Sequence, residues 1–121
     1  MKHCLVVEDS RVIRKVACRI LESLDLEAEE AEDAASALDA CRRQMPDLVL
    51  LDWNMPDGGA LAFLRDLRRA EGGAEPVVVF CTTENNLSEI TEAMMTGAND
   101  YLLKPYDRPL IESKLAQIGV I

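Results

Sequence analysis

Apolar positions along the chain alternate between two rhythms. Short runs at 3–7, 47–51, 76–81 and 100–104 are largely apolar, with valines such as Val6, Val7, Val49, Val77, Val78 and Val79 concentrated in them, and a more polar run lies at 27–31. These read as strands. Between them lie 10–24, 33–44, a stretch ending near 69, 87–96 and 107–118, where apolar residues return every three or four positions, the period of an amphipathic helix. In the first of these, Val12, Ile13, Val16, Ala17, Ile20, Leu21 and Leu24 are expected on one buried face, with Arg14, Lys15, Arg19 and Glu22 opposite in solvent. Ser10 or Asp9 is placed to cap it. In the last, Leu110, Ile111, Lys114, Leu115 and Ile118 fall in register. Turn signals at Pro56-Asp57-Gly58-Gly59, Gly72-Gly73, Gly97 and Pro105 punctuate the series.

Strands that alternate with helices of this length imply right-handed crossovers and a parallel sheet covered on both faces. The expected fold is α/β: a flavodoxin-like, three-layer αβα arrangement with a five-stranded parallel sheet of order 2-1-3-4-5 and five helices. The continuous run from Leu48 to Leu51 suits an interior strand. No linker, low-complexity segment or repeat interrupts the pattern, so residues 1–121 are expected to form one domain with no output domain attached. In such sheets the functional crevice lies beyond the carboxyl ends of the strands.

Composition narrows the function. The hydrophobic and charged fractions, 49% and 29%, are those of a soluble globular chain, and a net charge of -9 argues against a nucleic-acid partner. The loose basic cluster Arg11, Arg14, Lys15 and Arg19 reads as a solvated helix face. Cys4, Cys18, Cys41 and Cys81 lie far apart in apolar stretches, and with His3 as the sole histidine no zinc site is expected. No apolar stretch is long enough for a membrane span and no signal-peptide pattern opens the chain, so a cytoplasmic location is expected.

The polar residues that interrupt the apolar runs sit at the predicted carboxyl ends: Glu8 and Asp9, Asp52, Thr82 and Lys104. Three carboxylates crowded together repel one another unless a cation joins them, and an all-oxygen set with few protein ligands suits Mg²⁺. Lys104 adds positive charge and Thr82 a hydroxyl. Together they complement a phosphoryl group on Asp52, whose carboxylate is then the nucleophile. Singly, Asp52 could be a turn residue, Asp9 a helix cap, and Lys104-Pro105 a constrained, even cis, turn. Tyr101 reads equally as a half-buried core ring, and Trp53 as local packing. Spacing favours Thr82 over Thr83 for the hydroxyl.

The acid pair Glu8-Asp9, the string Asp52-Trp53-Asn54-Met55-Pro56, Thr82 and Lys104-Pro105, in this order and spacing, resemble the receiver domains of bacterial two-component response regulators, of the CheY-like single-domain type. The resemblance covers the whole chain. It implies that Asp52 takes a phosphoryl group from a phosphohistidine on a histidine kinase or histidine phosphotransferase. Asp9, Asp52 and the backbone carbonyl of Asn54 would ligate Mg²⁺, with Glu8 acting through water. Thr82 would swing toward the phosphoryl oxygens and Tyr101 would move inward, reshaping the face of the fourth helix, fifth strand and fifth helix. On that face Asn85, Tyr101, Leu103, Tyr106, Arg108 and Lys114 are available to a partner. Asn54 and Glu84 would border the path of attacking water and tune the lifetime of the signal. A monomer is implied, with a flagellar motor switch protein or a kinase downstream and chemotaxis as the pathway.

The sequence departs from that pattern in two places: Glu8 stands where Asp is commoner, and Asp57-Gly58-Gly59-Ala60 displaces the usual Asp-Gly. A phosphorelay intermediate or a phosphate sink fits the same residues. A small phosphohydrolase of the haloacid-dehalogenase type also uses an aspartyl nucleophile, but Asn54 stands where it needs an acid. Nucleotide binding would call for a Gly-rich loop after the first strand, and Glu8-Asp9-Ser10-Arg11 has no glycine.

Overall fold

The computed structural model describes residues 2–83 and 87–121. Its strands are β1 (His3–Val7), β2 (Glu27–Ala31), β3 (Leu48–Asp52), β4 (Val77–Thr82) and β5 (Asp100–Leu103), all parallel and ordered β2-β1-β3-β4-β5. The helices are α1 (Arg11–Ser23), α2 (Ala34–Arg43), α3 (Gly59–Arg69), α4 (Leu87–Thr96) and α5 (Arg108–Gln117). This is the flavodoxin-like arrangement expected from the alternation of periods. Among the described residues no helix is long and apolar enough to cross a membrane.

Because side chains alternate across a strand, neighbouring residues of the central strands feed two different layers. Leu5, Val7, Val49, Leu51, Val78 and Phe80 meet Ala37, Phe63, Leu64, Leu67 and Ala93 of α2, α3 and α4. Cys4, Val6, Leu48, Leu50, Val79 and Cys81 meet Ala17, Cys18 and Leu21 of α1 and Ile111 and Leu115 of α5. All four thiols are free and buried within these layers.

Three expectations need correction. Val12, Ile13 and Val16 are not buried: they are 74%, 38% and 44% exposed, and the packed face of α1 begins at Ala17. Val12, Ile13 and Val16, together with Lys104, Pro105 and Tyr106 of the segment after β5, line a shallow cleft of about 150 Å³. Conversely, Arg14 is drawn in, with its side chain 12% exposed. Leu110 of α5 is exposed, whereas Ile111 and Leu115 are buried.

Two strands end a residue beyond the apolar pattern, because the ladder continues through the polar residue that closes β3 and β4, pairing Asp52 with Cys81 and Thr82 with Leu103. Thus Asp52 and Thr82 belong to their strands. Lys104 lies just past β5, where its N–H donates to the Thr82 carbonyl at 2.8 Å, and the Lys104-Pro105 bond is cis. Ser10 is the α1 cap, accepting from the Ile13 N–H, and Asp33 and Asp107 cap α2 and α5.

At the opposite edge, Arg68 binds the ends of three segments. Its guanidinium donates to the carbonyls of Gly97 at 2.7 and 3.0 Å, Gly73 at 2.9 Å and Pro76 at 2.8 Å, and to Oδ1 of Asn99 at 3.1 Å. Gly97 has φ +131°, and a Cβ there would stand 2.8 Å from Arg68 Cγ, so only glycine lets the arginine reach.

The displaced Asp57–Ala60 segment is a single 3-10 turn over Pro56–Gly58 that runs into α3. Gly58 takes the left-handed conformation, φ 66°, while Gly59 is already helical at φ -58°. Replacing Gly58 by Ala is therefore expected to destabilise the fold by about 1 kcal/mol. Gly59→Ala should stay within about 0.5 kcal/mol of wild type, because its Cβ would meet Ala34 and Met55 only at 3.8 and 3.9 Å. Urea unfolding of the two variants checks this difference.

Candidate functional site

The parallel register brings the ends of β1, β3, β4 and β5 to one edge. Asp52 closes β3 with its side chain nearly enclosed, 4% exposed as a residue. Glu8 follows β1, is 3% exposed, and donates its N–H to the Ala31 carbonyl at 3.0 Å. Asp9 is exposed. One carboxylate oxygen from each of Glu8, Asp9 and Asp52 lies within 4.8 Å of the others.

Lys104 reaches across the end of β4 to join two of these acids. Its ammonium donates to Asp52 Oδ1 at 2.7 Å and to Glu8 Oε1 at 2.8 Å. Asp52 Oδ1 also accepts from the Asn54 N–H at 3.0 Å, and Glu8 Oε2 accepts from the Ser10 N–H at 3.1 Å. Burial pushes the Glu8 carboxyl up to about 7, against the opposing pull of the Lys104 hydrogen bond. Asp9 is held below the ordinary carboxylate range, chiefly by its hydrogen bond with Glu8. Burial alone would lower the Lys104 ammonium, but its hydrogen bonds to Asp52 and Glu8 outweigh that and hold it above its usual value. Glu8 thus keeps a proton where Asp9 is ionised.

Once all three acids are ionised, one ammonium cannot offset them. An all-oxygen group with a buried floor and one exposed member has the chemistry of a Mg²⁺ site, since this ion favours few carboxylates and retains waters.

The remaining expected residues fall around this group. Thr82 is buried at the end of β4, while Thr83 is exposed and directs its N–H, at 3.0 Å, and its hydroxyl, at 3.4 Å, to Asn54 Oδ1. Trp53 packs on Phe80 with ring centres 5.2 Å apart, and Phe80 stacks on Tyr101 at 5.7 Å. A row of rings therefore leads from beside Asp52 to β5. Lys114 Nζ lies 5.8 Å from the Tyr101 ring centre and donates to Asp100 Oδ2 at 3.2 Å. Glu84 and Asn85 lie outside the described residues.

The residues expected on one partner face divide into two groups. Tyr101, Leu103 and Lys114 stand around β5 and α5. Tyr106 instead packs into the α1–α5 layer, where burial raises its phenol, and lines the cleft beside Val12. Arg108 turns to Ser23 Oγ at the end of α1, 2.9 Å away. Periodicity assigned Arg14 and the apolar start of α1 to the wrong environments. The signal available was position: both lie in the first turns after the Glu8-Asp9 pair, level with the strand ends.

A family model described as response regulator receiver domain matches residues 4–116. The chain is 36% identical over 105 residues to the phosphate regulon transcriptional regulatory protein PhoB of Escherichia coli, covering 87% of this chain and 46% of that protein. It thus spans about half the length of that relative. It is 30% identical over 115 residues to the chemotaxis protein CheY-3 of Vibrio cholerae, covering 94% of this chain and 88% of that one. The solved structure of the Vibrio cholerae chemotaxis protein CheY4 superposes with a TM-score of 0.92 at 26% identity, over 98% of both chains.

The raised Glu8 group makes a pH prediction for the metal-free protein. Folded Glu8 holds its proton up to about 7 against an ordinary 4.5, so its contribution to stability is complete below the lower value and is lost as pH rises through the upper. Urea unfolding from pH 4.5 to 8 should show this decline in wild type, and Glu8→Gln should remove it. Parallel curves for the two proteins would show that Glu8 does not titrate in this way.

Proposed function

Because the chain belongs to the response regulator receiver domain family, we propose that Asp52 accepts a phosphoryl group from a phosphohistidine in a Mg²⁺-dependent reaction, and that the modified domain switches partner binding. The observation that carries this reading is the Lys104 ammonium held between Asp52 and Glu8, with Asp9 completing a three-acid group at the same sheet edge.

Asp52 Oδ1 accepts from Lys104 and from the Asn54 N–H, and Oδ2 is the oxygen proposed to attack phosphorus. The new O–P bond forms as the N–P bond breaks, and its electron pair returns to the donor imidazole. The acyl phosphate then replaces a carboxylate whose ammonium partner is already in place, so Lys104 can follow the charge onto the phosphoryl oxygens. Asp9, Asp52 and the Asn54 carbonyl would hold Mg²⁺, with Glu8 acting through water, and the ion would neutralise charge on the transferring group. The Thr82 hydroxyl supplies a further hydrogen bond to the phosphoryl group. Asn54 and Glu84 tune the water that ends the signal.

Tyr101 lies at the far end of the ring row that starts beside Asp52, which supports its role with Thr82 in passing the change to the face of α4, β5 and α5. Leu103 and Lys114 offer contacts there. The receiver is proposed to act as a switch rather than as a turnover enzyme. Chemotaxis is the favoured pathway, supported by the 88% coverage of CheY-3 and by the CheY4 superposition. A flagellar motor switch protein or a kinase is the downstream partner in that case. Four buried, unpaired thiols support a reducing, cytoplasmic setting. The exposed Val12, Ile13 and Val16 with Pro105 and Tyr106 provide an apolar surface beside Lys104, fitted to a phosphodonor helix approaching Asp52.

Incubation with acetyl phosphate and Mg²⁺ should add one phosphoryl group to wild type by intact mass and change Trp53 fluorescence, with neither effect in Asp52→Asn. A wild type that gains no mass would refute the reading. Val12→Asp with Val16→Asp should slow transfer from a phosphohistidine protein at least about tenfold while acetyl phosphate reacts at the wild-type rate, since only the protein donor needs the apolar surface.

A further inference from the structure

Arg14 has the pattern of an outward helix residue and the environment of a site residue. Its Nη1 donates to the Glu8 carbonyl at 2.8 Å, and its Nε donates to Glu30 Oε1 of β2 at 2.8 Å. Lys15 Nζ holds the other Glu30 oxygen. The guanidinium thus joins α1, the edge strand and the peptide between the two site acids. We infer that Arg14 is a positioning residue for metal binding, fixing the Glu8–Asp9 peptide so that both carboxylates meet Asp52 around one cation.

Three constraints converge on Glu8. Its N–H is tied to Ala31, its side chain to Lys104 and Ser10, and its carbonyl to Arg14. The first two fix Glu8 itself. The third, alongside the Ser10 N–H bond that spans it, fixes the plane of the peptide that leads into Asp9, and Asp9 is the exposed member of the group, without a cation of its own among the described contacts. Where its carboxylate stands therefore depends on that peptide.

Arginine suits this task because its planar fork serves two acceptors on separate elements at a fixed angle, which an ammonium on a flexible stem does not. Hydrogen bonds from Lys15 and then Arg14 hold Glu30 below the usual carboxylate range, so it remains a charged partner for the guanidinium. With Glu30 neutralising it, Arg14 acts on the acids through geometry more than through its charge.

The inference rests on the three acids being a Mg²⁺ site, and Mg²⁺ titration followed by Trp53 fluorescence and calorimetry tests it without phosphorylation. Removing an outer partner of a metal ligand typically costs tenfold or more in affinity, so Arg14→Met should weaken Mg²⁺ binding by about tenfold. Arg14→Lys, which keeps the charge but not the fork, should recover only part of this, and Glu30→Gln should give a smaller loss in the same direction. Ala40→Gly, remote on α2, destabilises the fold without touching the site and should bind Mg²⁺ as wild type does. Should Arg14→Met fail to fold, Arg14→Lys decides the matter. Affinity within about twofold of wild type in the folded Arg14 variants would overturn the inference alone. Absence of Mg²⁺ binding by wild type would overturn the site reading and this inference with it.

Discussion

The arrangement depends on one ammonium group placed between two buried carboxylates. Lys104 lies 96 residues from Glu8 and 52 from Asp52, yet it touches both, because the order β2-β1-β3-β4-β5 brings their strand ends to one edge. Enclosing Asp52 and Glu8 without a counter-charge would be severely unfavourable. With it, the edge holds a concentrated negative group whose charge is only partly compensated. The fold therefore keeps an acid site that is poised for a cation.

Much of this was legible in the sequence. A polar residue that ends an apolar run marks the carboxyl edge of a parallel sheet, and Glu8, Asp52, Thr82 and Lys104 each carry that mark. Alternating periods imply a parallel α/β sheet, for which 2-1-3-4-5 is the natural five-strand order. Less legible was burial within α1, because a 3.6-residue period reports which face a residue occupies and not whether a neighbour covers it. Val12 and Val16 have the correct phase and no sheet beneath them, whereas Arg14 has the opposite phase and finds two acceptors at the site edge. Tyr106 and Arg108 turn toward α1, a direction that the period of α5 does not report.

Glu8 illustrates how one methylene alters a site. The longer side chain allows one carboxylate oxygen to meet Lys104 while the other accepts from the Ser10 N–H at the start of α1. Glu8 thereby links the acid group to the helix cap as well as to the lysine. In the metal-free protein its proton and its hydrogen bond with Asp9 spread the negative charge unevenly, leaving the exposed acid ionised.

The opposite edge is built on a different principle. Among the described residues Arg68 is held by carbonyl and carboxamide oxygens alone, and burial lowers its basicity. Bonds from a cation to neutral dipoles in a partly buried setting are weakly screened by salt and carry no titrating partner. The junction of α3, β4 and β5 should therefore feel ionic strength and acidity far less than the Asp52 edge does. The domain has one end that responds to its solution and another that serves as a fixed frame of reference for that response.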